Sequence, residues 1–185
     1  DAKKTKAWEE ETLVNVFSVT KGVTATCISR LIDQGQLDPN KRVGHYWPEY
    51  SCNGKENTKV SDLLCHRASM FGFKDGIPSG SFQDWDKFKH ALQIQSPYRK
   101  PGTSQGYHAL TFGWLVGELI RRVDGRTVGS YFKEEIADPL NIDFHIGLAE
   151  SEFERCADML MLPMENIKLP GEFLKYVPNF FLPLT

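Results

Sequence analysis

The strongest constraint on the fold is a helix that carries a serine and a lysine in its first turn. Apolar residues recur at three-to-four spacing between residues 18 and 34, and Gly35 follows as a stop signal, so the sequence predicts a helix over 18–34. Ser18 and Lys21 are three positions apart, just under one helical turn. Both side chains are therefore expected on one face of the helix.

This pair of side chains suits nucleophilic catalysis. A serine hydroxyl is a weak nucleophile until a neighbouring base removes its proton, and a neutral lysine can be that base. Burial and the positive end of the helix dipole both favour the neutral amine. Backbone N–H groups at the helix N-terminus, that of Ser18 among them, can also point toward an oxyanion.

A purely structural origin of the pair also remains open. Ser-x-x-Lys occurs by chance, and serine is a common helix cap. The flanking residues, Phe17 and Gly22, favour a functional site, because a glycine is costly inside a generic helix unless it admits close packing.

The remaining pattern is mainly helical. Helical periodicity and stop signals are clearest in the segment that ends at Gly125. The predicted elements are a long loop at 36–57, a short helix at 61–65 capped by Ser61 and Asp62, a helix capped by Asp84, a helix at 108–124, a helix at 127–137 ended by Pro139, and a short strand at 143–148.

Composition excludes several function classes. The 22 basic and 24 acidic residues give a net charge of −2, which offers no case for nucleic acid or an anionic membrane. No stretch approaches the ~18 apolar residues of a membrane span. The four cysteines are widely spaced, so we expect no disulfide framework and no metal site, and their pattern favours a reducing compartment. We expect no cofactor; the oligomeric state is left open.

Length predicts one domain with a tail. The 185 residues begin at Asp1 rather than Met, and residues 1–17 lead directly into the serine helix, so we expect a piece of a larger protein. We assign 1–162 to the domain. Residues 163–185 combine four prolines with aromatic residues and receive no function.

Four segments together resemble one known family. FSVTKG at 17–22 resembles the active-site element of the serine β-lactamases and penicillin-binding proteins, and is more similar to the class C-like branch that includes the family VIII carboxylesterases. Residues 61–69 are similar to a family segment that usually ends in LLTHTSG. Residues 101–118 match the stretch around the Tyr-x-Asn motif, and 138–142 match a Pro-Leu landmark. The segments occur in family order over residues 12–160.

The resemblance implies a fold and a set of roles. The fold would be α+β and serine β-lactamase-like (transpeptidase-like), with this chain mostly helical because much of the antiparallel sheet lies outside it. Ser18 would be the nucleophile of an acyl-enzyme mechanism, with Lys21 and Tyr107 sharing the proton transfer. Judged without the family, a buried tyrosine at a helix entrance is the favoured interpretation of Tyr107. The substrate would be a small-molecule ester or amide, with no metal or organic cofactor.

Two departures from the family pattern refine this expectation. Ala109 stands where the motif usually has asparagine, which holds a β-lactam's amide, so an esterase is favoured over a β-lactamase. The third family element, a Lys/His/Trp-x-Gly strand, has no clear match: residues 145–147 fit by letters but come too early in the chain.

Two alternatives remain. One is a non-catalytic β-lactamase-like scaffold or an inactive truncated member. The other is an α/β-hydrolase that uses Ser104, within the Gly-x-Ser-x-Gly pattern at 102–106. Residues 97–101 contain two prolines and cannot form the buried strand that such a nucleophile needs, so a glycine-rich turn is favoured there. His66 and His108 are expected to be packing or hydrogen-bonding histidines.

Overall fold

The computed structural model describes residues 3, 5–76 and 84–160, and these are mainly helical. The described residues divide into two compact units, one within residues 16–150 and the other formed by residues 3, 5–15 and 151–160. The helices are α1 (Val19–Asp33), α2 (Val43–Tyr46), α3 (Val60–Leu64), α4 (Trp85–Ile94), α5 (Thr111–Asp124), α6 (Val128–Phe132) and α7 (Asp138–Leu140), with 3₁₀ turns at Pro48–Tyr50 and Glu150–Arg155 and a π-helical turn at Lys133–Ala137.

The core of the larger unit lies around α1 and α5. The two helices contact each other, and α5 also contacts α4 and the short helices. Each large apolar side chain taken out of water here contributes about 1.5–3 kcal/mol to burial. Buried side chains of α1 and α5 in this core are Cys27, Ile28, Leu31, Phe112, Leu115, Val116, Leu119 and Ile120.

The predicted helices at 18–34, 84 onward and 108–124 are confirmed. Asp84 accepts from the Lys87 N–H at 3.2 Å and caps α4 as expected. Gly125 ends α5 with φ +96°, a left-handed conformation that suits glycine. The structure begins α5 at Thr111 rather than at 108.

The short helix after the long loop begins one residue earlier than predicted. Ser61 is not its cap: α3 begins at Val60, and the Asp62 carboxylate accepts from the Lys59 N–H at 3.0 Å from inside the first turn. The loop predicted at 36–57 also contains α2 and a 3₁₀ turn. An isolated antiparallel bridge joins Arg42, just before α2, to Lys59, just before α3.

Pro139 does not end the helix predicted at 127–137. Thr127 caps α6 by accepting from the Ser130 N–H, and the π-helical turn Lys133–Ala137 leads directly into α7. Pro139 lies in the first turn of α7, where its missing N–H is not needed. The helix ends instead at Asn141, which has φ +52°.

The short strand predicted at 143–148 is wrong. The segment is irregular and packs onto α6, where the Ile146 carbonyl occupies the space a Cβ on Gly129 would need. Phe144 contacts Phe132 edge to face. Among the described residues the only β-pairings are two isolated bridges. The segment therefore has packing contacts in place of a strand partner.

The smaller unit is described at residues 3, 5–15 and 151–160. Leu13 and Cys156 form a parallel bridge, with the Leu13 N–H donating to the Arg155 carbonyl at 2.9 Å and the Ala157 N–H to the Leu13 carbonyl at 2.8 Å. Residues 163–185 lie outside the described residues, so the division at residue 162 stays a prediction.

Three general features bear on function. None of the helices in residues 3–76 and 84–160 combines the length and apolar character needed to cross a membrane. In the same residues, no three histidine, cysteine or acidic side chains come together as metal ligands. All four cysteines are free thiols.

Candidate active site

Ser18 stands at the N-terminus of α1 on a sharp turn of the backbone. It is exposed and occupies the N-cap position, with helical φ and ψ of −74° and −6°. Phe17, directly before it, has φ +46°, which is unusual for a residue with a side chain. Strained backbone of this kind is often found where a fold presents a functional group. The turn holds the Ser18 hydroxyl at the surface.

Lys21 reaches back to Ser18 along the same helical face. Its Nζ atom lies 3.1 Å from Ser18 Oγ, within hydrogen-bonding distance. Lys21 is half-buried, whereas Ser18 is exposed. The predicted pairing of hydroxyl and amine is therefore present in the structure.

Tyr107 joins this pair from a different part of the chain. Lys21 Nζ lies 5.1 Å from the centroid of the Tyr107 ring, and 53 % of Tyr107 remains exposed. The pKa of the Tyr107 phenol is lowered, first by the Ser18 hydroxyl and then by the Lys21 ammonium, because both can donate to the phenolate; partial desolvation opposes them. Tyr107 is thus a surface side chain beside two polar groups, not a buried tyrosine at a helix entrance.

The backbone on both sides of Tyr107 is held by one residue, His66. The Gly106 N–H donates to the His66 carbonyl at 2.9 Å, and the His108 N–H donates to His66 Nδ1 at 3.2 Å. The His66 and Tyr107 rings meet nearly edge to face, with centroids 4.9 Å apart. No sequence pattern indicates this arrangement, beyond the position of His66 in a family-like segment.

Two buried hydrogen bonds tie the segment that follows Tyr107 to Met70. His108 Nε2 accepts from the Met70 N–H at 3.0 Å, and the Thr111 hydroxyl donates to the Met70 carbonyl at 2.6 Å. Burial lowers the pKa of His108 to about 4, and repulsion from His66, when that ring is protonated, adds a smaller decrease. Both histidines therefore have the hydrogen-bonding roles expected from the sequence.

One backbone donor is available beside the hydroxyl. In the part of the chain that the structure describes, no backbone carbonyl accepts from the Ser18 N–H. A donor at the start of a helix, next to a nucleophile, can stabilise a developing oxyanion.

Gly22 does not have the packing role expected of it. A Cβ placed on Gly22 would meet no atom of the described residues within 4 Å. Close packing within the described residues therefore does not explain why a glycine stands at position 22.

Ser104 lacks the surroundings of a nucleophile elbow. Residues 97–110, all of which are described, contain neither a strand before Ser104 nor a helix directly after it. Gly102 has φ +82° and donates its N–H to the Arg67 carbonyl, which makes the segment a turn. His145 likewise lies in irregular backbone, with its Nε2 2.9 Å from Asp143, rather than on a strand.

Comparison with known proteins assigns the family. The profile of the family "Beta-lactamase" matches residues 1–175. The chain is 38 % identical over 156 residues to "Esterase/beta-lactamase LipL" of Mycobacterium tuberculosis, covering 83 % of this chain and 36 % of that protein. This chain therefore belongs to the beta-lactamase family.

Solved structures give the same assignment. The crystal structure of a family VIII carboxylesterase is 41 % identical, with a TM-score of 0.83 over 86 % of this chain and 44 % of that one. A penicillin-binding protein homologue from Caulobacter crescentus is 37 % identical, with a TM-score of 0.86 over 98 % of this chain and 48 % of that one. The fold is that of the serine β-lactamases and penicillin-binding proteins, as predicted. The chain spans less than half the length of each of these relatives.

Proposed function

We propose that this chain supplies the nucleophile and proton-transfer residues of a serine hydrolase that acts through an acyl-enzyme, with esters favoured over β-lactams. The observation that carries the proposal is the grouping of Ser18, Lys21 and Tyr107: the amine is 3.1 Å from the hydroxyl and 5.1 Å from the centroid of the phenol ring. Such grouping of nucleophile and base is the general signature of covalent catalysis by serine.

The steps follow from that geometry. Ser18 Oγ forms a bond to the substrate carbonyl carbon while its proton passes to the unprotonated member of the Lys21–Tyr107 pair. That acceptor is the Tyr107 phenolate when Lys21 is an ammonium, or the neutral Lys21 amine when Tyr107 is a phenol. The Ser18 N–H stabilises the resulting oxyanion. The bond to the leaving group then breaks, and that group takes the proton and departs as an alcohol or amine. A water attacks the acyl-enzyme, gives its proton to the same bases and releases a carboxylic acid, which restores Ser18.

Two features support an ester in preference to a β-lactam. Ala109 is exposed and offers no amide where the family motif usually has asparagine. Two of the relatives carry the words esterase or carboxylesterase in their names.

The proposal is tested by labelling and by ester hydrolysis. A fluorophosphonate should modify Ser18, and Ser18→Ala should abolish both labelling and hydrolysis of p-nitrophenyl acetate. Lys21→Ala should lower kcat by roughly 10²–10⁴-fold, the usual value of general-base assistance. Ser104→Ala is the matched control and should label and hydrolyse normally.

Other outcomes would contradict the proposal in distinct ways. Labelling at Ser104 would favour the α/β-hydrolase alternative. An intact chain that labels nowhere would be a scaffold. Hydrolysis that survives Ser18→Ala would remove Ser18 from the mechanism.

A further inference from the structure

We propose that His66 is a positioning residue that fixes Tyr107 beside Ser18 and Lys21, through its ring acceptor Nδ1 and its own backbone carbonyl. The inference rests on the proposed function in one respect, that Tyr107 takes part in proton transfer. It assigns to His66 a role that extends beyond packing.

Two hydrogen bonds to His66 hold the backbone on either side of Tyr107. Gly106 and His108, its neighbours in sequence, both donate to His66, at 2.9 Å and 3.2 Å. Because the residues before and after Tyr107 are tied to the same partner, its Cα has little freedom to move relative to that partner. The Tyr107 side chain is exposed, so packing alone does little to hold it.

His66 is itself held in the orientation that this role needs. Its φ of +57° is left-handed, and this conformation lets both its carbonyl and its ring face residues 106–108. The ring lies against His108, with centroids 5.3 Å apart, and against Phe112 of α5 at 5.2 Å. Because these contacts hold His66 in a left-handed conformation, its carbonyl and ring are already oriented to accept from residues 106 and 108.

The protonation of the ring agrees with the hydrogen bonds. Nδ1 accepts from an N–H, so in the neutral ring the proton is on Nε2. Burial and the positive charge of Lys21 lower the pKa of His66, and a lowered pKa favours the neutral ring. The titratable groups that face it are Lys21 of α1 with Tyr107 and His108 of the following segment; Phe112 of α5 adds no charge.

Three variants of His66 separate positioning from packing. His66→Asn keeps an acceptor at the place of Nδ1 and tolerates a left-handed backbone. His66→Phe keeps a ring of similar shape but removes the acceptor. His66→Gln carries its acceptor one bond further out and serves as the comparison if circular dichroism shows that the phenylalanine variant does not fold.

The first measurement is steady-state hydrolysis of p-nitrophenyl acetate by the full chain. His66→Phe or His66→Gln should lower kcat by about 10–100-fold with little change in KM, since misplacing a catalytic group by about 1 Å costs on that order. His66→Asn should stay within a few-fold of the parent. Equal kcat values in the asparagine and phenylalanine variants would overturn the proposal.

The second measurement does not depend on activity. In protein labelled with [¹³Cζ]tyrosine, Tyr107→Phe identifies the Tyr107 signal, and pH titration follows its phenol. The pKa should rise toward the ordinary value near 10 in His66→Phe or His66→Gln and stay low in His66→Asn. Identical titrations in all these proteins would overturn the positioning role. Hydrolysis that survives Ser18→Ala would instead refute the proposed function and leave this titration to decide the role of His66.

Discussion

Lys21 Nζ lies over the ring of Tyr107, 5.1 Å from its centroid. The same amine is 3.1 Å from Ser18 Oγ, so one cationic group contacts both the hydroxyl and the phenol. A cation beside a phenol favours the phenolate. The ionisation of Tyr107 should therefore depend on both of the helix residues that face it.

Tyr107 should titrate below the ordinary value near 10, and removing either neighbour should raise its pKa. Ser18→Ala and Lys21→Met should each raise the pKa, because the hydroxyl of Ser18 and the amine of Lys21 both lower it. Titration of [¹³Cζ]tyrosine protein measures both effects. Tyr98 provides an internal control, since its pKa is raised by burial and should not respond to either change. A Tyr107 signal that moves in neither variant would contradict the described site.

The buried His108 should make the protein less stable in acid. Its pKa in the folded state is about 4, below the 6.5 of an exposed histidine, so the unfolded chain binds the proton more tightly. The free energy of unfolding should fall as the pH drops from about 6.5 to 4, by about 2–3 kcal/mol from this group.

The matched variant for this prediction is His108→Gln. Its side-chain oxygen can replace Nε2 as the acceptor for the Met70 N–H, and it does not titrate. Urea unfolding at pH 7 and pH 4.5 should show a loss of stability that is smaller in the variant by about 2–3 kcal/mol. Equal losses in the two proteins would mean that His108 is not the group responsible.

Two glycines in α5 should respond in opposite directions to alanine. A Cβ on Gly117 would lie 2.7 Å from the Trp85 ring, whereas a Cβ on Gly113 would meet no described atom within 4 Å. Gly117→Ala should lower the free energy of unfolding by about 1–3 kcal/mol through overpacking. Gly113→Ala should raise it by about 0.5–1 kcal/mol through helix propensity. Urea unfolding measures the change in the free energy of unfolding for each variant. A Gly117→Ala variant more stable than the parent would contradict the packing described.

Glu118 should be needed for its hydrogen bonds more than for its charge. It is 4 % exposed and accepts from Trp85 Nε1 at 3.0 Å and from Arg122 Nε at 2.8 Å. Glu118→Leu leaves the indole N–H without this acceptor and should cost about 1–3 kcal/mol. Glu118→Gln keeps an acceptor for Trp85 and should cost less. Unfolding followed by tryptophan fluorescence compares them; equal costs would argue against the hydrogen bond.

The sequence predicted those features that depend on local spacing. Ser18 and Lys21 share a helical face because they are less than one turn apart, and this needs no knowledge of the rest of the chain. The end of α5 at Gly125 and the cap at Asp84 follow from local backbone preferences in the same way.

Features that depend on distant contacts or unusual backbone could not be predicted in this way. His66 and His108 are 42 residues apart in sequence, and no periodicity connects them. Phe17 and Ser69 adopt positive φ although neither is a glycine, and their residue types give no warning of it. Pro139 was expected to end a helix, but a π-helical turn brings the chain to it in a register where proline is tolerated.

That π-helical turn carries a consequence for how the chain tolerates length changes. A π turn holds one residue more than the α-helical turn it replaces. Because its hydrogen bonds span five residues instead of four, deleting one residue within Lys133–Ala137 would restore regular α-helical winding and leave the side chains from Asp138 onward at nearly their present angle around the axis. Lys133 and Asp138, now 2.7 Å apart and five positions apart in sequence, would become an i,i+4 pair and would keep their contact. This turn is therefore the place in the helix where the chain should tolerate loss of one residue without turning the Pro-Leu segment away from the rest of the domain.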